Sequence, residues 1–479
     1  MQERSIFQNI SPLDHRYSLS EKDVFDAVSG WLSEEAAVRA NLKAEAALVA
    51  AHLHTRGRLT EAAWRLVDEA ARAVTPREVY AEEKKTRHNV RALVNALKRK
   101  MPDEFKAFVH LGATSVDILD TSLAYRMKGV CAGVVLPELR RLELCLCDFA
   151  EREAETPQAG RTHGQHAVPI TLGFAVAEYV SRLGKSILEI ERLSSGLRGK
   201  LAGAVGAYNA LSMITADPEE LERVYLAELG LEPSEHSTQL VEPEYMLRLL
   251  LEINTAFGVI ANLADDLRHL QRSEIAELSE GFAGEQVGSS TMPQKRNPWN
   301  SEHVKSLWKA FMPRVVSFYM DQISEHQRDL SNSASQRFVA DYVCGFCMAV
   351  SRMRGVIEGI DVDRERLEYN LGGGGSGGIQ GGVMAEPAYI LLAESGENEA
   401  HEIVRRITLA AESEGLSFPQ ALRREEAVLR RIAGKMLELG LIRDKAEASA
   451  FFENPARYSG LAACKARTIA AKYRKLMNS

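Results

Sequence analysis

The sequence has no surplus of basic residues, and this absence excludes bulk binding to nucleic acid. Its 59 lysines and arginines are outnumbered by 66 aspartates and glutamates, which gives a formal net charge of -7. Sequence-independent binding to DNA or RNA depends on cationic side chains that neutralise phosphates. Any site for an anionic ligand must therefore be built locally.

Long apolar runs and paired cysteine motifs are also scarce. No apolar run approaches the roughly 20 residues that span a bilayer, and the N-terminal residues Met-Gln-Glu-Arg-Ser lack the apolar core of a signal peptide. Of the six cysteines, Cys344 and Cys347 form a single CxxC pair, whereas zinc sites of this kind need a second pair. The sequence therefore predicts buried reduced thiols, no metal site and a cytoplasmic location.

What the sequence does contain is long helical periodicity. Between 246 and 270 apolar residues recur at the spacing of one helix face, and similar patterns run over about 116–153, 170–200 and 301–323. No segment shows sustained alternation of apolar and polar residues. The pattern predicts an all-α fold in which long helices form a bundle. Helices this long expose more apolar surface than one chain covers easily, so we expect an oligomer.

The most informative segment is the run Gly-Ser-Ser-Thr-Met-Pro-Gln-Lys-Arg-Asn-Pro at 288–298. Pro293 and Pro298 each fix φ and remove a backbone donor, so the run must be a loop rather than a core element. Its hydroxyl, ammonium and amide groups suit the binding of a carboxylate and the removal of a proton beside it. A polar surface turn is the alternative, and composition alone favours it.

The order of residues in this run resembles the signature of the fumarase/aspartase superfamily, whose members eliminate fumarate from succinyl compounds. The matching positions are Gly288, Ser289, Ser290, Met292, Pro293, Lys295, Asn297 and Pro298. The form Lys-Arg-Asn-Pro is similar to that of the adenylosuccinate lyases. The resemblance implies a C–N lyase of purine biosynthesis. Such an enzyme releases fumarate and AMP from adenylosuccinate by base-catalysed β-elimination, and also cleaves the related succinyl-aminoimidazole carboxamide ribotide.

The same resemblance implies an architecture. We expect the three-domain fumarase/aspartase-like fold, with a helical N-terminal domain over 1–114, a central helix bundle over 115–368 and a helical C-terminal domain over 369–479. The long helices are expected to form the core of a homotetramer, and each active site is expected to be shared between subunits. The reaction needs a small-molecule nucleotide substrate and no metal or organic cofactor.

A histidine is the expected general acid. The segment Gly-Arg-Thr-His-Gly-Gln-His at 160–166 joins two long helices, and the unperturbed pKa of histidine lies near neutrality. A lone loop histidine is more often bonded to a backbone carbonyl, but this segment resembles the superfamily's Thr-His-x-Gln region. The resemblance assigns protonation of the leaving nitrogen to His163 and leaves His166 as a supporting candidate.

The expected base lies in the 288–298 run. Ser289 is the first candidate and Ser290 the second, and the resemblance also places Ser290 in contact with substrate. A serine hydroxyl is a poor base unless its alkoxide is stabilised, and Lys295 with backbone N–H groups can supply that stabilisation. Lys295 and Asn297 are also expected to hold the succinyl carboxylate.

Further residues are assigned to substrate binding by the resemblance, and physical chemistry gives several of them a second reading. Thr114 and Ser115 are expected to bind succinyl carboxylates, although either could simply cap the helix that follows. Two guanidiniums and a hydroxyl near a helix start suit a 5′-phosphate, although a capped surface helix explains them too. The assigned residues are Arg16, Tyr17, Arg87, His88, Asn89, Thr114, Ser115, Gln239, Arg328, Ser333 and Arg337.

Two departures from the family pattern keep alternatives open. Asn89 stands where adenylosuccinate lyases usually have aspartate, and the stretch Leu-Val-Glu-Pro-Glu at 240–244 replaces one that often contains Arg-Asp in bacterial relatives. A sister lyase acting on another succinyl amine or on a carboxymuconate is one alternative. An inactive scaffold derived from a lyase is the other.

Overall fold

The computed structural model describes residues 5–281, 291–292, 294–374 and 379–478. Ser289, Ser290 and Pro293 lie outside the described residues. Most of the described chain is α-helical, which confirms the predicted all-α class.

The α-helices fall in chain order. The first ten are α1 (Arg16–Ser20), α2 (Lys22–Leu32), α3 (Glu34–His54), α4 (Glu61–Arg72), α5 (Pro76–Thr86), α6 (Asn89–Lys100), α7 (Ser115–Val130), α8 (Leu136–Arg152), α9 (Leu172–Ser195) and α10 (Pro218–Ala227). They are followed by α11 (Glu244–Leu270), α12 (Trp299–Phe311), α13 (Arg314–Met320), α14 (Val339–Glu358), α15 (Arg364–Leu371), α16 (Ala385–Glu394), α17 (Ala400–Glu414), α18 (Phe418–Arg424), α19 (Glu426–Glu438), α20 (Glu447–Glu453) and α21 (Ala462–Met477).

Strands are short and occur in pairs. They are β1 (Pro157–Thr162), β2 (Gln165–Thr171), β3 (Arg198–Gly199), β4 (Glu232–Pro233), β5 (Leu278–Ser279) and β6 (Asp361–Val362). The pairs β1–β2 and β5–β6 are antiparallel, and the pair β3–β4 is parallel. Each pair connects ends of helices and none forms a layer of its own.

Three of the four helical periodicities match the structure closely. The 246–270 pattern is α11, the 170–200 pattern is α9, and the 116–153 pattern is α7 and α8 joined by a π-helical turn at Cys131–Val135. The fourth pattern, over 301–323, is divided into α12 and α13. The interruption falls at Pro313, which has no N–H to donate into the helix before it.

The chain divides into two compact units. Unit 1 contains 1–140, 185–258 and 306–351, and unit 2 contains 141–184, 259–305 and 352–479. In unit 1 a buried apolar cluster runs from Val38 to Val109 along the N-terminal helices. In unit 2 a second cluster runs from Met384 to Phe452 along the C-terminal helices.

Helix α11 qualifies the expectation about membranes. Among the described residues it is long and apolar enough to cross a bilayer by length and composition, with a mean hydropathy of 1.4. In the structure 56% of its apolar window is buried inside the protein. A packed core helix passes the same test, so this helix is weak evidence for a membrane span.

The cysteines behave largely as expected. All six are free thiols, and four of them, Cys131, Cys147, Cys344 and Cys347, are buried. Burial raises the pKa of the Cys131 and Cys344 thiols to about 12. In the described ranges no group of three or more His, Cys, Asp or Glu side chains could hold a metal ion.

Candidate active site

Thr114 and Ser115 lie at the start of α7, where Asp117 holds the backbone in place. The Asp117 carboxylate accepts a hydrogen bond from the Thr114 N–H at 2.7 Å and another from the Ala202 N–H at 3.2 Å. It also pairs with the ammonium group of Lys200, and both side chains are fully buried. The predicted helix start is therefore present. It is fixed by an ion pair that the sequence pattern did not indicate.

We predict that Lys200→Met destabilises the protein strongly. Removing the ammonium leaves the buried Asp117 carboxylate without its counter-ion, which typically costs about 3–5 kcal/mol. The midpoint of urea unfolding should fall accordingly. Lys128→Met is the matched control in unit 1, since Lys128 is half-buried and donates to the Gly230 carbonyl at 2.7 Å. Equal losses in the two variants would contradict the structural role of the buried pair.

A second buried acid supports the segment just before Thr114. His110 has a left-handed backbone with φ of 62°, and its Nδ1 lies 2.7 Å from Oε1 of Glu45 on α3. Burial acts to lower the pKa of His110, but the Glu45 carboxylate outweighs it and the pKa is raised. Glu45 was not among the predicted site residues, although an acid inside the alanine-rich apolar run 44–51 was a usable signal.

Arg87, His88 and Asn89 form the joint between α5 and α6, and all three are exposed. Arg87 ends α5 in a left-handed conformation with φ of 53°. His88 caps α6, because its Nδ1 accepts a hydrogen bond from the Arg91 N–H at 3.2 Å. This cap uses Nδ1 and leaves Nε2 as the second ring nitrogen.

Gln239 lies beside the segment predicted to bind phosphate. Its backbone N–H donates to the Gln327 carbonyl at 3.2 Å. Arg328 is half-buried, whereas Ser333 and Arg337 are exposed. Ser333 and Arg337 would lie on the same face if the segment formed an α-helix. Instead, Ser333 precedes a 3-10 helix at Ser335–Phe338.

Charges near the predicted phosphate-binding residues act on other parts of unit 1. Burial raises the pKa of Tyr80 on α5, and the charge of Arg337 acts in the opposite direction, so Arg337 lies near α5. Burial raises the pKa of Asp341, and the charge of Asp14 adds to it. Asp14 immediately precedes the turn into Arg16 and Tyr17. Within unit 1, the charge of Arg337 therefore acts on α5, and the charge of Asp14 acts on Asp341.

His163 lies at the tip of the β1–β2 hairpin. His163 and Gly164 have φ of 55° and 74°, and two consecutive left-handed residues are typical of a two-residue hairpin turn. Thr162, His163, Gly164 and Gln165 are all exposed. A loop between two long helices was predicted here, and the structure has a β-hairpin instead. The strands were missed because they are short and do not alternate.

Glu277 fixes the base of this hairpin from within unit 2. Its buried carboxylate accepts hydrogen bonds from Arg161 at 3.1 Å, from the Gln158 amide at 2.9 Å and from the Asn370 amide at 2.9 Å. Burial, and then the charge of Arg161, lower the pKa of His166. His166 is therefore held toward its neutral form.

Lys295 and Asn297 lie near the end of the 281–298 segment. Glu280 connects the residues on either side of this segment. The Glu280 carboxylate accepts hydrogen bonds from the Ser301 N–H at 2.7 Å and from the Asn300 N–H at 3.1 Å. It therefore caps α12 from the residue just before the loop. Gln271 adds a second link, since it accepts from the Glu280 N–H at 2.9 Å and donates to the Arg296 carbonyl at 3.3 Å. No local sequence pattern indicates these hydrogen bonds, because they join residues that are distant along the chain.

Comparison with known proteins agrees with this assembly of motifs. A model of the Lyase family matches residues 17–310, and a model of the adenylosuccinate lyase C-terminal region matches residues 324–440. The adenylosuccinate lyase of Pyrococcus abyssi is 32% identical over 436 residues, covering 90% of this chain and 93% of the relative. That of Thermotoga maritima is 32% identical over 367 residues, covering 74% and 80%.

The chain belongs to the adenylosuccinate lyase family. Membership of the fumarase/aspartase superfamily and of the lyase class of enzymes is thereby confirmed. Among solved structures, the 3-carboxy-cis,cis-muconate lactonizing enzyme of Pseudomonas putida superposes with a TM-score of 0.79 at 23% identity, covering 95% of this chain and 98% of that one. A fumarate lyase from a Mesorhizobium species superposes with a TM-score of 0.78 at 21% identity, covering 93% and 97%. Identities this low establish the shared fold alone.

Proposed function

We propose that the chain cleaves adenylosuccinate to fumarate and AMP, and cleaves the related succinyl-aminoimidazole carboxamide ribotide in the same way. The observation that carries this proposal is the neighbourhood of Gln239, Arg328, Ser333 and Arg337 within unit 1. Guanidiniums and a hydroxyl beside a glutamine that is predicted to bind substrate suit a ligand that carries a phosphate group. A carboxymuconate has no phosphate, and the solved muconate enzymes support only the fold.

The reaction divides among groups with distinct tasks. Ser289 removes the proton from the carbon next to a succinyl carboxylate, and the electron pair spreads onto that carboxylate. Lys295 and Asn297 stabilise the resulting negative charge. The C–N bond then breaks as the carbon–carbon double bond of fumarate forms. His163 protonates the departing nitrogen.

The exposed position of His163 supports a shared active site. A general acid works best where water is excluded, yet the hairpin tip of a single chain is open to solvent. We propose that further copies of the chain cover it in a homotetramer. We also propose the three-domain division at 114 and 368, because one buried cluster lies wholly before the first boundary and another wholly after the second. A cytoplasmic location and a cofactor-free reaction stay predictions.

The substrate proposal is tested by Arg337→Met. Losing a charge-assisted contact costs about 1.5–3 kcal/mol, so KM for adenylosuccinate should rise by about one to two decades while kcat falls less. The measurement is kcat and KM for adenylosuccinate and for its dephosphorylated form. The loss should largely vanish with the dephosphorylated substrate, which should bind poorly to both proteins.

Arg65→Met provides the matched control, because Arg65 is an exposed arginine of α4 in the same unit that pairs with Glu61. It should leave KM unchanged. Equal kcat/KM for the two substrates in the unaltered enzyme would refute the phosphate assignment. The fumarate-releasing chemistry would survive that result.

A further inference from the structure

The stretch 240–244, where the sequence departs from bacterial relatives, is tied to two candidate binding regions of unit 1. On one side, the Val241 N–H donates to the carboxylate of Asp120 on α7 at 3.1 Å. On the other side, Gln239 donates to the Gln327 carbonyl at 3.2 Å. The altered stretch therefore lies between the helix that begins at Ser115 and the residue just before Arg328.

A two-step link runs from Glu244 to the guanidinium of Arg328. Gln322 donates its side-chain amide to Oε1 of Glu244 at 2.7 Å. The backbone carbonyl of the same Gln322 accepts a hydrogen bond from one terminal nitrogen of Arg328 at 2.8 Å. Glu244, at the first position of α11, therefore holds Gln322, and Gln322 in turn holds Arg328.

Arg328 shows two signs of being held for a ligand. Its backbone has φ of 79°, which is a strained conformation for a residue with a side chain. Its other terminal nitrogen is buried and has no hydrogen-bond partner within the described part of the chain. A guanidinium with one anchored terminal nitrogen and one buried, unsatisfied terminal nitrogen suits an anionic partner.

We propose that Glu244 is a positioning residue of the phosphate site, acting on Arg328 through Gln322. The carboxylate of Glu244 orients the Gln322 amide and so fixes the carbonyl that anchors Arg328. This proposal rests on the phosphate role of Arg328 in the proposed function. It explains why the altered 240–244 stretch is compatible with a phosphorylated substrate.

The test uses Glu244→Met, Glu244→Gln and, as matched control, Glu242→Met. Glu242 belongs to the same stretch, but its carboxylate accepts from the Ser234 hydroxyl at 2.7 Å, whereas Gln322 donates to Glu244. Losing one hydrogen bond should raise KM for adenylosuccinate about three- to tenfold in Glu244→Met, with kcat changed less than about twofold. Glu244→Gln keeps an acceptor oxygen for Gln322 and should restore KM. Glu242→Met should leave KM unchanged.

The decisive measurement is a double-mutant cycle with Arg328→Met. If Glu244 acts through Arg328, Glu244→Met adds little further loss in the Arg328→Met background. Fully additive effects would overturn the proposal, as would an equal rise of KM with the dephosphorylated substrate. Gln322→Leu removes the side-chain amide that donates to Glu244. It tests the same link to Arg328 if Glu244→Met does not fold.

The two proposals fail in different ways. Absence of any preference for the phosphorylated substrate in the unaltered enzyme rejects the phosphate site itself. The coupling between Glu244 and Arg328 is measured from KM values for adenylosuccinate alone. Additive effects of the two substitutions on those values therefore reject only the positioning role of Glu244.

Discussion

Replacing Ser289 by alanine is expected to reduce kcat for adenylosuccinate by about 10²- to 10⁴-fold while the substrate still binds. General base catalysis typically contributes that much, and Ser289 is the first candidate for the base in the 288–298 run. Alanine retains the backbone N–H, so the contacts that hold the succinyl carboxylate should remain. Single-turnover rates and substrate binding measured on the same protein separate loss of chemistry from loss of affinity.

Ser290→Ala is the control, because it removes a hydroxyl from the adjacent position of the same run. It should weaken substrate binding and leave most of the rate of the chemical step. The reverse pattern, with Ser289→Ala active and Ser290→Ala inactive, would move the base by one residue and leave the rest of the mechanism intact.

His163→Gln is expected to lose about 10²- to 10⁴-fold in kcat. Glutamine can fill the space at the hairpin tip and form hydrogen bonds, but it cannot deliver a proton. The loss should therefore be greatest for substrates whose leaving nitrogen is most basic, since those depend most on protonation. The rate should be followed as a function of pH with two substrates that differ in the leaving amine.

His166→Gln tests the neighbouring histidine, whose pKa is lowered by burial and by Arg161. We expect a smaller loss, with no dependence on the leaving amine. If His163→Gln keeps both the rate and the pH profile of the unaltered enzyme, the acid lies elsewhere. His88 is then the first candidate, since Nδ1 caps α6 and Nε2 is the ring nitrogen that this cap does not use.

The sequence predicted those parts of the fold that arise from local patterns. The long helices follow from apolar residues at one spacing, and α11 was predicted within two residues at its start. The start of α7 was predicted because Thr114 and Asp117 are a capping pair that acts over one turn. The signature residues were also found from local patterns, because they lie in short contiguous sequence motifs.

The parts that sequence reasoning missed depend on contacts between distant residues. Glu45, Lys200 and Glu277 lie 65, 83 and 116 residues from their partners His110, Asp117 and Arg161. Each looks like an ordinary charged residue of a helix or loop until the fold buries it. The β1–β2 hairpin was missed for a related reason, because its pairing is set by the turn at His163 and Gly164 rather than by an alternating pattern.

The clamp formed by Glu280 and Gln271 limits how strongly the stability of unit 2 depends on the length of the 281–298 segment. Because the residues on either side of the segment are held together by these hydrogen bonds, lengthening the segment changes the entropy of closing a ring. That entropy changes slowly, by about 0.6 kcal/mol for each doubling of the number of residues in the ring. Insertions between these ends should therefore alter catalysis long before they unfold the protein. In a directed-evolution experiment, the number of residues between these ends can therefore be varied along with their identity.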